Sequence, residues 1–445
     1  MIVRSSRVVL PDAVGPASIE IDNGQIVDVE RGSGVGLVEG RDDVVDCGDL
    51  IVSPGIVDTH VHVNEPGRAD WEGFDTATRA AAAGGVTTIV DMPLNCIPAT
   101  TTVGALEAKR AAARGACHVD VAFWGGIVPG NAPELHALAD GGVRGFKCFL
   151  VPSGVEEFQH VDEADLREAL PILAHRRLPL LVHAESPNAL KRFAGSQPGE
   201  YAAYVATRPP AAEVAAIEMM VRLAREFDVH VHIVHAASAE AVDVIAQAKA
   251  AGVSMTAETC PHYLTFAAED VPAGATAFKC APPIRETRHR EALWNGLSEG
   301  TLDLVATDHS PAPASLKCPG DFVRAWGGIA SLEMALAAVW TRLRASRSGG
   351  QAGSAMNVAS WMSERPAALA RLDRKGQIAP GFDADLAVWD PDDEWVVEPD
   401  TLQQRHKLTP YAGCTLRGRV KTTFVRGVRV WDGGRIVSPP TGRLL

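Results

Sequence analysis

Several things are scarce in this chain, and each scarcity narrows its function. Its eight cysteines form no CxxC pair, so neither a structural zinc knuckle nor a disulfide framework is expected. The thiols are expected instead as small buried apolar groups. No stretch reaches eighteen consecutive apolar residues, and the first residues lack an export-signal pattern. No membrane span and a cytoplasmic location are therefore expected. Basic residues are outnumbered by acidic ones, 42 to 55, giving a formal net charge of -13. That balance disfavours nucleic acid as a partner, because phosphate contacts need basic patches. There is no solenoid-period repeat, and no GxGxxG opens a helix after the first long apolar run. What is present is a 46% hydrophobic chain of 445 residues, enough for one large domain with a filled core and a smaller one beside it.

Residues 1–51 read as short strands with tight turns. Ile2–Arg4, Val8–Leu10, Ala17–Ile21 and Gln25–Val29 are apolar runs, and Asn23-Gly24 between the last two is a strong hairpin signal. From residue 52 to about 375 the pattern changes to short apolar runs alternating with alanine-rich helical segments. The runs are Ile56–His62, Thr87–Met92, Val119–Gly125, Gly145–Phe149, Leu180–Ala184, Val229–His235, Ser254–Glu258 and Leu302–Thr307. Helical periodicity covers Thr102–Arg114, Glu163–Arg176, Ala212–Phe227, Ala239–Ala251 and Glu286–Leu297. Eight strands alternating with helices predict an α/β fold, a (β/α)₈ barrel. Over residues 376–445 β character returns, with a hairpin expected across Arg426-Gly427. The simplest architecture lets both chain ends build one β-sandwich beside the barrel.

In such a barrel, functional groups gather where strands end. Strand 1 ends in His60 and His62, which alternation places on one face, about 7 Å apart along the chain. Strand 4 carries Lys147 among apolar neighbours, strand 5 ends in His183, strand 6 in His235, and strand 8 in Asp308. Each alone has a plainer reading: a core histidine, a helix cap, a buried ion-pair partner. Together on one rim they point to a metal site. Strand parity selects His235 and leaves His232 as packing or support. His118, His136, His160, His175, His289 and His406 are expected at the surface. A desolvated Lys147 has a lowered pKa and could take up carbon dioxide as a carbamate, whose two oxygens would bridge two divalent ions. His60, His62 and Asp308 would hold one ion, His183 and His235 the other. Zinc comes first, with cobalt, iron, nickel or manganese as alternatives for such ligands. A bridging hydroxide would attack, and Asp308 would carry its proton to the leaving nitrogen.

Over almost its whole length the chain resembles the amidohydrolase superfamily, in the branch of dihydroorotases, hydantoinases and allantoinases. The resemblance rests on Pro54–His62, Gly145-Phe146-Lys147, Val182–Glu185, Glu258–Leu264, Thr307–Pro311 and Gly381–Leu386. It implies an N6-carboxylated Lys147, two metals, a bicarbonate requirement, a barrel with a sandwich from both ends, and a homotetramer. Asn64–Arg68, Trp71–Phe74, Asp91–Asn95, Lys279–Arg285, Ala325–Ile329 and Arg405–Tyr411 are similar to the allantoinase group in particular. Dihydroorotases carry an arginine where this chain has Asn64, and that arginine answers a substrate carboxylate that allantoin lacks. The resemblance thus implies hydrolysis of allantoin to allantoate. Dihydroorotase, a hydantoinase and a catalytically silent scaffold remain as alternatives. Asn64, Asn95, His262, Cys280, Ala281 and Ser310 are the expected substrate contacts. Glu65 and Arg68 read as a loop-holding ion pair, and Ser310–Phe322 as a segment able to close over the site.

Overall fold

The computed structural model describes residues 1–32, 43–345 and 351–445. Eight parallel strands alternate with helices: Ile56–Val61, Val86–Asp91, Asp120–Phe123, Phe146–Phe149, Leu180–His183, Val231–Ile233, Met255–Thr259 and Leu304–Val305. They are called barrel strands 1 to 8. Strands 1 to 3 pair in order, as do strands 4 to 8. Strand 3 bends at Trp124 and joins strand 4 through Gly125–Gly126, which pair with Phe146 and Lys147. Below the bend it pairs instead with the C-terminal tail, Val121 against Leu444. Strand 8 closes onto strand 1 through His309, whose carbonyl accepts the His62 N–H at 2.8 Å.

The eight strands lie where the sequence predicts them, and most are shorter by a residue or more at their ends. Helix Glu163–Arg176 shows the local logic. Asp162 accepts from the N–H groups of Ala164 and Asp165, while the Asp165 carboxylate accepts from the Asp162 N–H. This reciprocal cap fixes the start and contributes about 1 kcal/mol. Leu166, Ala169, Leu170 and Leu173 then recur at helical spacing and are buried. Valines and leucines from the strands meet such helix faces in the outer core. A second core fills the barrel, with Val57, Val90, Trp124, Leu181 and Leu304 packed against Ala367, Leu369 and Leu372.

Both chain ends contribute to one nine-stranded sheet. Ile51–Pro54 pairs antiparallel with Leu386–Val396 and parallel with Ile2–Val9, so residues far apart in sequence share one ladder. Ile2–Val9 is a single strand with an irregularity between Ser5 and Val8, where the sequence predicts two. Asn23 and Gly24 both have positive φ, 48° and 82°, and so do Arg426 and Gly427, 47° and 72°. Two-residue turns of that kind match the twist of the strands they join. Val3, Val8, Ile19, Val52, Leu386 and Phe424 form this sheet's own core. Lys375 ties it to the barrel, meeting Asp120 of strand 3 and Asp385 at 2.7 Å each and Asp383 at 3.0 Å. Among the described residues, no helix is long and apolar enough to cross a membrane.

Candidate metal centre and active site

At the C-terminal ends of the barrel strands lies a cavity of about 450 Å³. His60, His62, Asn95, His183, His235, Cys280, Ala281, Asp308 and Ser310 line it. Asn64 and His262, although buried, are not among its lining residues.

His60 and His62 both direct Nε2 at the same Asp308 Oδ1, at 3.1 and 3.2 Å. His60 uses its other nitrogen, Nδ1, on the buried carboxylate of Glu258. A neutral His60 that donates from Nδ1 turns a lone pair towards Asp308, which has lone pairs of its own. Only a proton or a cation between them reconciles the pair. In the metal-free protein the proton does so: burial lowers the His60 pKa, but Asp308 and Glu258 outweigh it and lift it to about 9. Asp308 is held well below the usual carboxylate range, His60 and His62 outweighing the effect of burial.

His183 repeats the pattern on strand 5. Its Nε2 meets Glu185 Oε2 at 2.7 Å, so the other nitrogen is the free one. The Phe149 ring stacks on it at 4.5 Å. Glu185 is buried and grips Arg208 as well, from Arg208 Nε at 2.9 Å and Nη2 at 2.5 Å. Burial alone would raise the Glu185 carboxyl, yet Arg208 and His183 hold it at about 2. His235 lies between the two groups, its ring 5.4 Å from His60 and 4.6 Å from His183, with Nδ1 buried and unpartnered. One ligand-type atom from each of His60, His235 and Asp308 falls within 4.8 Å of the others.

Lys147 is fully buried and its Nζ has no hydrogen-bond partner. Burial pushes the amine down to about 8. An orphaned buried amine that interacts with the His183 and His235 rings is costly as an ammonium and well suited to becoming an anionic ligand. The donor set therefore fits divalent metal.

Strand parity does not explain His235. Val231 and Ile233 face the outer core, and His232, the opposite parity, faces inward to Glu258 at 3.1 Å. His235 reaches the cavity because the strand has ended at Ile233 and its own φ is 40°. Asn64, Asn95 and Asp308 also have positive φ, 68°, 66° and 47°. Such backbone costs on the order of 1 kcal/mol or more and clusters where packing holds side chains for chemistry. His118 and His289 are buried rather than at the surface: His118 meets Asp75 at 3.1 Å, and His289 accepts from the Ala239 N–H at 2.9 Å. Glu65 and Arg68 do not pair. Glu65 accepts from the Phe74 N–H, while Arg68 bonds Glu157 and the Asn95 carbonyl.

Arg208, Lys279, Lys191 and Arg324 line the outer cavity with Trp326 and Phe322; Lys279, Trp326 and Phe322 fall in segments that the sequence marks, whereas Arg208, Lys191 and Arg324 carry no sequence signal. Ser310 and residues 322–328 form one wall. Lys317, buried beneath, donates to the carbonyls of Trp326 and Gly328. Gly328 is required here: its φ is 143° and a Cβ would lie 2.4 Å from the Ser310 carbonyl oxygen.

Residues 51–430 match the model of the amidohydrolase family. This chain belongs to the amidohydrolase family. Among curated amidohydrolase relatives, allantoinase from Streptomyces avermitilis is 48% identical, covering all of this chain and 98% of that one. Allantoinase from Arabidopsis thaliana is 42% identical over 99% and 90% of the two chains. Among solved amidohydrolase structures, an L-hydantoinase (dihydropyrimidinase) from Arthrobacter aurescens superposes with a TM-score of 0.92 at 30% identity, covering all of this chain and 98% of the other. The barrel with its end-built sheet and its divalent metal site are thus those of an amidohydrolase acting on cyclic amides.

Proposed function

We propose that the protein opens the hydantoin ring of allantoin to give allantoate, with an N6-carboxylated Lys147 among the residues that would hold two divalent ions. The observation that carries this is the buried, unpartnered Lys147 amine, within electrostatic reach of His183, His235 and Asp308. His60, His62 and Asp308 would hold one ion, and His183 and His235 the other. Bound metal would polarise the ring carbonyl and supply a nucleophile from water at neutral pH.

The chain's own residues do the rest. Asp308 Oδ1 lies against both Nε2 atoms of the first pair, where it can take a proton from the attacking water. It returns that proton to the ring nitrogen as the C–N bond breaks, so one ring-opened product forms, with a neutral ureido group and a carboxyl group that ionises by releasing its proton to solvent. Glu185 and Glu258 hold His183 and His60 in one tautomer each. The Asn95 carboxamide and Ser310 hydroxyl offer polar contacts to the ring's amide groups, as do the backbone groups of Cys280 and Ala281. Trp326 and Phe322 restrict water on the outer side.

The two allantoinases above are 48% and 42% identical, against 30% for the L-hydantoinase structure, which favours allantoin over simple hydantoins. Zinc is the metal we favour. All eight cysteines are free thiols, which fits the reducing cytoplasm, and a homotetramer is the assembly the family resemblance implies. The test is turnover of allantoin, dihydroorotate and 5-methylhydantoin by protein loaded with zinc or cobalt and bicarbonate. Allantoate formation far exceeding the other two reactions is expected. Preference for dihydroorotate or the simple hydantoin would overturn the substrate assignment, and bound metal without turnover of any would overturn the activity.

A further inference from the structure

A (β/α)₈ barrel is normally filled by layers of branched apolar side chains. Here one side of the interior is polar from bottom to top. Strands 6 and 7 pair in register, with His232 opposite Thr256. The inward-facing residues are His230 and His232 on one strand and Thr256 and Glu258 on the other. His230 Nε2 meets Thr256 Oγ1 at 2.9 Å, and His232 Nδ1 meets the same oxygen at 2.8 Å. His232 Nε2 meets Glu258 Oε2 at 3.1 Å, and Glu258 Oε1 meets His60 Nδ1. Glu258 also accepts from the backbone N–H of His235 at 3.3 Å. Thr256 is half-buried and His232 and Glu258 are fully buried, while His230 is part-exposed at the lower end.

The chemistry of one member sets the direction of every bond. Glu258 faces two imidazole nitrogens and the backbone N–H of His235, so its carboxylate is the acceptor for all three. Both imidazoles must then present N–H to it. A neutral His232 donating from Nε2 has its lone pair on Nδ1, and only the Thr256 hydroxyl can donate to it. The hydroxyl oxygen in turn accepts from His230 Nε2–H. Donation thus runs His230 to Thr256 to His232 to Glu258, and Glu258 receives a second N–H from His60.

We propose that this column positions the metal centre: Glu258, oriented by His232 and Thr256, fixes His60 in the tautomer that presents Nε2 to the site and anchors the backbone at His235. The inference rests on the metal-site reading above. It makes Glu258 the link between the two groups of donors, because His60 belongs to one and His235 to the other. It also explains two histidines in the Val229–His235 run that the reaction does not otherwise use. A barrel holding only a packed core at this point would need neither.

The test uses the full-length chain and three variants. Thr256→Val removes the hydroxyl at constant shape, Thr256→Ser keeps it, and His232→Phe removes the support of Glu258 altogether. The first readout is the ¹⁵N chemical shifts of His60 in the metal-free chain well above pH 9, where the ring has lost its second proton and the shifts report its tautomer without metal or substrate. The second is zinc affinity by chelator competition, together with the visible spectrum of the cobalt form. Outer partners of metal ligands typically change affinity or activity by about 10–100-fold. Thr256→Val is expected at the lower end and His232→Phe at the upper, with mixed His60 tautomers and a shifted cobalt spectrum. Thr256→Ser should restore affinity to within about twofold of the unmodified chain, the hydroxyl being what matters. The proposal is overturned if folded Thr256→Val and His232→Phe keep one His60 tautomer and unchanged zinc affinity. It is equally overturned if Thr256→Ser loses as much as Thr256→Val. A wrong substrate leaves these readouts untouched. If the unmodified chain binds no divalent metal, the metal-site reading fails, and the tautomer measurement still decides the column.

Discussion

Replacing Lys147 by methionine should make the metal-free protein more stable while abolishing its activity. The side chain is fully buried, and its amine has no hydrogen-bond partner. Burial brings its pKa from 10.5 to about 8. At about 1.36 kcal/mol per unit, an uncarboxylated Lys147 therefore costs the folded state about 3 kcal/mol at neutral pH. The sign follows from the depressed value. Below pH 8 both states carry the proton and the folded state bears the full penalty. Between pH 8 and 10.5 the unfolded chain still binds the proton while the folded one has released it, so stability rises with pH. Above 10.5 the penalty is gone. Methionine fills a similar volume without the charge, so Lys147→Met should exceed the unmodified chain by about 3 kcal/mol at pH 7. The advantage should shrink steadily from pH 8 to 10.5. Urea denaturation of chelator-treated, carbon dioxide-free protein across that range measures it. Allantoin turnover by the metal-loaded variant should be undetectable. A variant that turns over allantoin normally would refute the bridging role. One less stable at pH 7, with no convergence at high pH, would refute the account of the orphaned amine.

Other consequences are as specific. Lys375→Met leaves Asp120, Asp383 and Asp385 without their shared, nearly inaccessible cation. Breaking such a buried pairing costs about 3–5 kcal/mol, and thermal unfolding should show it even with metal bound. Gly126→Ala places a Cβ 2.4 Å from the Phe158 ring, which meets Phe149 edge-on, and Phe149 stacks on His183. A loss of about 1–3 kcal/mol is expected, with kcat falling more than KM rises in steady-state assays. Chelation of the metal should lower the thermal midpoint, because a ligand that binds only the folded state stabilises it by RT ln(1 + L/Kd), with L its free concentration. Full return should need zinc or cobalt together with bicarbonate, and recovery with metal alone in carbon dioxide-free buffer would contradict the carbamate.

Much of this architecture could be read from the sequence because it obeys short periods. A lysine between Phe146 and Cys148, or two histidines two residues apart at the end of an apolar run, announce themselves by position. The hairpins at Asn23-Gly24 and Arg426-Gly427 are local as well. Other features depend on contacts that no period encodes. The pairing of Ile51–Pro54 with Leu386–Trp389 joins residues more than 300 apart. Alternation selected His235 on a face that its strand does not present to the cavity, because the strand stops at Ile233 and the chain turns through a left-handed residue. Leftover polar residues were the missed signal. Glu258 stood inside a recognised motif without a role, and Arg208 follows a helix with nothing in its neighbours to show that it grips Glu185.

The same reasoning accounts for the cations around the cavity in a chain of net charge -13. Among the described residues that line the cavity, Asp308 is the lone carboxylate, against Lys191, Arg208, Lys279 and Arg324. Glu185 and Glu258 lie behind the histidines rather than on the cavity wall, Glu185 shared between His183 and Arg208 and Glu258 between His60 and His232. Negative charge is thus placed where it strengthens metal ligands and kept from the space where a new carboxylate would form. If ring opening is the reaction, a neutral substrate becomes an anion inside that space. A wall rich in acids would oppose that charge as it develops in the low-dielectric cavity, while lysine and arginine at the outer wall do not. The arrangement of charge therefore suits a reaction that turns a neutral substrate into an anion.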